Sequence, residues 1–165
     1  MINVRRSISS ILREADSQPN DADRALYLRD NDSDPLRILL KVVFDEKIIF
    51  DLPEGNPPYR PNNMPDAESI LYREVPKLYY YIKDVYKPTN LNGWHQKKVG
   101  MFIDLLERLD PEDAELMLAI KSKKLPYKNI SMNVVLKAFP DIGISGTAAP
   151  ERVRLKPGPK PKVQS

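Results

Sequence analysis

Apolar residues recur at the spacing of helix faces along most of this chain. Ile8, Ile11, Leu12 and Ala15 fall at i, i+3, i+4 and i+7, which predicts a short first helix with one buried stripe. A second, weaker helix is expected from Pro19 to about Arg29, with Ala22, Ala25 and Leu26 turned inward. Asp34-Pro35 has the form of an N-cap followed by proline in the first turn, where its missing N–H is no loss. Leu36, Leu39, Leu40 and Val43 repeat the period, and Ile38, Val42 and Phe44 add apolar character on other faces. A helix apolar nearly all round belongs at the centre, so 35–46 is expected in the middle of the core.

Residues 47–52, KIIFDL, suit either an extended piece or a final helical turn. The next thirteen, PEGNPPYRPNNMP (53–65), hold five prolines and exclude both regular helix and central strand, so they predict a loop. Asp66 is expected to open another helix, which Pro76 must kink or divide; Leu78, Tyr81, Ile82 and Val85 line one face of its second half. Val99, Phe102, Ile103 and Leu106 predict a helix over 94–109. Asp110-Pro111 repeats the cap-and-proline start, and Glu112, Asp113 and Glu115 set acids against the positive end of a helix running to about Lys123. Beyond Pro140, glycine, proline and positive charge replace large apolar residues. The expected fold class is all-α: a compact multi-helix domain over 1–144, with the Pro-rich loop, and a disordered basic C-terminal tail over 145–165.

The totals narrow the chemistry. A chain of 165 residues with 41% apolar and 30% charged residues fits a soluble globular domain. No apolar run is long enough to span a membrane, and the first residues lack the apolar core of a signal peptide. Without cysteine there is no disulfide, thiolate metal site or cysteine nucleophile, which fits a reducing compartment. His95 is the only histidine, so His-paired nucleophiles and multi-histidine metal sites are excluded. Asp30, Asp32 and Asp34 imitate the start of a calcium loop, but Pro35 and Lys41 stand where that loop needs glycine and glutamate. No glycine-rich phosphate loop occurs. Tyr79, Tyr80, Tyr81 and Tyr86 could stack on bases, although at helical spacing core and edge packing is the expectation. The sequence reads as no enzyme, with no cofactor and no metal.

Charge is where the chain is uneven. Its net charge is +3, yet residues 150–165 alone carry +4, from Arg152, Arg154, Lys156, Lys160 and Lys162 against Glu151. The rest sums to −1, and within it KSKKLPYKNISMNVVLKAFP (121–140) holds five lysines and no acid. Lys121, Lys123 and Lys124 suit the negative end of the preceding helix; Lys128 has no such reason. Pro126 to Asn129 forms a tight connection, Ser131 fits an N-cap, and Ile130 can staple onto Val135. The expectation is a helix–turn–helix corner whose fresh helix N-terminus, with Lys124, Lys128 and Lys121 nearby, suits a phosphate oxygen.

The C-terminal part resembles the end of the all-α N-terminal DNA-binding domain of bacteriophage-type ATP-dependent DNA ligases. The similar features are LLERL, the acid-started DAELMLAIKSKKL, and the serine-opened helix closing on NVVLKAFPDI. ISSIL, DRALYLRDN and LRILLKVVFD extend a weaker likeness over about residues 7–142, strongest over 101–142. The chain also resembles small proteins of large tailed bacteriophages. The resemblance implies a grip on duplex DNA through the minor groove and backbone, at Lys123, Lys124, Ser131, Asn133 and Lys137. The family's turn glycine is replaced by PYKN, and no K-x-D-G motif follows, so ligase activity is not implied. The tail's LKPGPKPK loosely resembles the AT-hook, with Pro-Gly-Pro in place of a Gly-Pro core flanked by arginines. The expectation is a non-enzymatic binder of duplex DNA in the cytoplasm of an infected bacterium. Its contacts would be Lys121, Lys123, Lys124, Lys128, Ser131, Asn133 and Lys137, plus Arg152, Arg154, Lys156, Lys160 and Lys162 of the tail. The rival is an adaptor for phage replication, transcription or virion proteins, docking through the Pro-rich loop and Tyr59. A nuclease using the 110–115 acids is the third reading.

Overall fold

The computed structural model describes residues 6–64, 67–86, 88 and 92–144. Seven α-helices follow one another: α1 (Ile8–Asp16), α2 (Asp21–Asp30), α3 (Asp34–Phe44), α4 (Ile70–Glu74), α5 (Trp94–Arg108), α6 (Pro111–Lys121) and α7 (Met132–Ala138). A 3₁₀ helix, Val75–Tyr81, continues α4, and the change of helix type falls at Pro76, as its missing N–H requires. The expected start at Asp66 lies outside the described residues. The fold is all-helical; among the described residues the β feature is a single antiparallel bridge between Phe50 and Ile82. It gives KIIFDL its extended form, with Asp51 N–H donating to the Tyr81 carbonyl at 2.7 Å and Lys83 N–H to Ile49 at 2.8 Å. Residues 53–64 have no regular structure.

Local chemistry explains the helix starts. The side chains of Ser7, Asn20, Ser33, Asp110 and Ser131 each accept a backbone N–H of the helix they precede. Ser33, not Asp34, is therefore the cap of α3; Asp34 and Pro35 occupy its first turn. Ile8, Ile11, Leu12 and Ala15 are all buried, as are Leu36, Leu39, Leu40 and Val43. In α2 the buried residues are Ala25 and Leu28, while Ala22 and Leu26 face solvent. The helix is rotated from the expected face because it packs against both α1 and α7. Val85 is likewise exposed, since the chain leaves the 3₁₀ helix before reaching it.

The centre is shared. Besides α3, α6 buries Asp113, Ala114, Leu116, Met117, Leu118, Ile120 and Lys121, and it packs against α1, α3 and α5. Its apolar residues run all round, which is the pattern of an enclosed helix. Arg37 ties the far ends together. It holds the Asp32 carboxylate with two bonds of 2.8 Å, reaches Asp141 at 3.4 Å, and lies 4.6 Å from the centre of the Phe139 ring. Asp32, the middle acid of the calcium-like run, is thereby committed to an arginine, which holds it below the usual carboxylate range.

Candidate nucleic-acid interface

The α6–α7 corner begins where α6 ends, two residues before the expected Lys123. Ser122 closes the helix and Lys123 follows with φ +62°, the left-handed conformation that glycine usually supplies there. Lys123 N–H reaches the Ile120 carbonyl at 2.8 Å and Lys124 N–H reaches Ala119 at 3.0 Å, pairing two carbonyls that a helix end leaves free.

The side chain explains the lysine. Its ammonium donates to the carbonyls of Val42, Asp45 (2.8 Å) and Ile48 (2.6 Å), the last turn of α3 and the bend after it. An ammonium has three protons to give, so Lys123 is fully used inside the fold. Burial lowers its pKa, opposed by the nearby Asp45 carboxylate. Lys121 is 9% exposed and donates to the Pro53 carbonyl at 2.7 Å, fastening the start of the Pro-rich segment. Burial lowers its pKa too, against the pull of Glu54. Lys121 and Lys123 are therefore internal fasteners, which corrects the expectation that they contact DNA.

Three lysines of the corner remain outward. Lys124 and Lys128 are exposed on the turn, Lys137 is exposed on α7, and none forms an ion pair with a described residue. The turn between them is anchored. Asn129 N–H donates to the Asp16 side chain at 2.7 Å, and its amide donates to the Asp16 carbonyl at 3.1 Å. Ser131 spends its hydroxyl as the cap of α7, accepting from Val134 N–H at 3.4 Å, while Asn133 is exposed in the first turn. With seven residues, α7 has a weak dipole, so the positive field here comes from ammonium groups rather than a helix end. Ile130 and Val135 are both buried, as a staple requires. Arg152, Arg154, Lys156, Lys160 and Lys162 lie outside the described residues.

The acids at the start of α6 have structural employment. Asp110 caps the helix, accepting from Glu112 N–H at 3.2 Å, and Glu112 pairs with Arg13 of α1. Asp113 does more than face its own helix dipole. It is wholly buried, and one oxygen accepts the Ser9 N–H at 3.0 Å, satisfying the first turn of α1. Its other oxygen has no partner, and burial pushes the carboxyl up to about 6. Among the described residues no group of three potential ligands is placed to hold a metal ion, and His95 is exposed in the first turn of α5.

The Pro-rich segment is strapped to the body. Arg60 N–H donates to Glu107 at 2.8 Å, the Asn62 amide donates to the Arg108 carbonyl at 2.8 Å, and Tyr59 is half-buried against the core. The rival contact, Tyr59, is thus partly taken up by the core and partly open. Tyr81 packs edge-on to Phe102 in the core, but Tyr79, Tyr80 and Tyr86 gather with Trp94 at the surface. Sequence reasoning missed the direction of Lys121 and Lys123 because their acceptors are carbonyls, which carry no side-chain signature.

Residues 11–127 match the model of a family described as a family of unknown function, DUF6433. The match includes Lys124 and stops one residue before Lys128. No curated protein and no solved structure matches the chain.

Proposed function

We propose that this chain, which belongs to the DUF6433 family, is a non-enzymatic protein that holds duplex DNA by its backbone against the α6–α7 corner. The observation that carries the reading is the set Lys124, Lys128 and Lys137, exposed around one anchored turn with no acid of the described chain paired to them. Cations held on a fixed turn meet a regularly spaced row of phosphates with little loss of side-chain freedom. Asn133, beside them, supplies an uncharged donor. The tail adds five cations that would follow the same polyanion. The likeness of 101–142 to the DNA-binding domain of phage-type ligases supports the same partner, and with it a place in the infected bacterial cytoplasm. The structural roles of Asp110, Glu112 and Asp113 support the non-enzymatic part.

The test is the triple charge reversal K124E/K128E/K137E, measured by fluorescence anisotropy on a labelled duplex across salt. Three lost phosphate contacts should lower the log–log salt slope by about 2.7 and weaken low-salt binding at least tenfold. A variant that binds with the same slope and affinity overturns the reading.

A further inference from the structure

Four rings collect on the outside of the molecule between the 3₁₀ helix and the start of α5. Tyr79 and Tyr80 stack with centroids 4.5 Å apart, Tyr80 meets Tyr86 edge-on at 4.7 Å, and Tyr86 reaches Trp94 at 5.3 Å. Core packing does not account for them. Tyr81 is the ring that enters the core, while Tyr79 is 42% exposed and Tyr80, Tyr86 and Trp94 are half-exposed. Val85, next to Tyr86 in the chain, is 58% exposed. A continuous aromatic surface left in water is a feature that a folded chain ordinarily keeps small unless something covers it.

The charges around the rings say what would cover them. Lys98 donates to the Asp51 carboxylate at 2.6 Å, and Lys83 and His95 lie near enough to the same carboxylate to lower its pKa further. Lys98 is spent on that acid, but from Lys77 to Lys98 the chain carries five lysines against one acid, Asp84. His95 follows Trp94 directly, and Lys83 lies between Tyr80 and Tyr86 in the chain. Aromatic faces beside a surplus of cations suit a ligand with flat rings on an anionic chain. In a duplex the base faces are already covered by one another, so only unpaired bases can use such a surface.

We propose that the cluster of Tyr79, Tyr80, Tyr86 and Trp94 is a stacking site for unpaired bases of single-stranded nucleic acid, with the phosphates running toward Lys83 and His95. It is a second site, on other elements than the α6–α7 corner, and does not require that corner to bind. Base-on-ring stacking is tolerant of sequence, so the site discriminates strandedness rather than sequence.

Trp94 is the only tryptophan in the chain, so its emission reports this site alone. Titrating the full chain with oligothymidylate at low salt should quench that emission saturably, and an equal mass of blunt duplex should not. Tyr79→Ala removes an exposed ring and should weaken the quenching titration about tenfold, with an unchanged far-UV spectrum. The K124E/K128E/K137E protein should still be quenched, which separates this site from the corner. Unchanged emission with oligothymidylate overturns the proposal, whatever the duplex binding. So does quenching that heparin reproduces, because charge alone would then suffice, or quenching that Tyr79→Ala leaves intact.

Discussion

At Lys123 the chain puts a residue with a Cβ where glycine would be relaxed, at a backbone cost of about 1 kcal/mol. Three carbonyls of another helix end are the reason. Lys123→Met should therefore lower the unfolding free energy by about 2–3 kcal/mol, read from urea midpoints at unchanged slope. Lys123→Gly should also destabilise, although it relieves the backbone, because the charged hydrogen bonds outweigh the strain. A glycine variant as stable as the parent would mean that the ammonium contributes nothing. Asp113 makes the opposite kind of contribution. Its folded pKa, about 6, lies above the ordinary value of 3.8, so the protonated form is favoured by folding. The associated stability is complete below about pH 3.8 and is lost as pH rises through 6, up to about 3 kcal/mol for a two-unit shift. Ser9 opposes the rise through its side chain and its N–H, and Asp110 and Glu112 reinforce it. Asp113→Asn should flatten the stability–pH curve between pH 4 and 7 relative to the parent. Parallel curves for the two proteins would contradict the assignment.

Elements were more legible than side-chain directions. The periods of α1, α3 and α5 announced helices because apolar residues recur in each at i, i+3, i+4 spacing. In α5, however, Phe102 and Leu106 are buried as expected while Val99 and Ile103 are only partly so, and Lys98 and Leu105 complete the buried face. For α2 the expected stripe was Ala22, Ala25 and Leu26, whereas Ala25 and Leu28 are buried, because contact with both α1 and α7 sets the helix's rotation. The end of α6 was misjudged by two residues because Lys123 serves the carbonyls of another helix end, and the start of α3 by one because Ser33 rather than Asp34 takes the local cap. The corner's turn and cap were legible; which of its lysines look outward was not. Within α7 the Ser131 cap serves a helix too short to stand alone. Ser131→Ala should cost about 1 kcal/mol and speed amide exchange at Val134 first, with α3 unaffected. Uniform loss of protection across the chain would show instead that α7 does not open by itself.

Across the whole molecule, charge and fold are divided. Residues up to 149 sum to −1 while the last sixteen carry +4. Removing 145–165 should leave the thermal midpoint within a degree or two, since glycine, proline and charge replace large apolar residues there. If the tail cations neutralise phosphates, the same deletion lowers the duplex salt slope by up to about 4.5 units. An unchanged slope would confine DNA contact to the body. The family match over 11–127 covers the aromatic surface entirely and the corner only in part, so variants at the two places probe different portions of the family's common frame.

The bond from Asn129 to Asp16 spans 113 positions, and α7 lies on α2. During synthesis, the opening helices therefore wait without their lid until nearly all the chain has emerged from the ribosome. A product stalled or released before α7 would present the bare side of α2 to every chaperone and protease nearby, which makes translation through α7 a condition for survival of the N-terminal half.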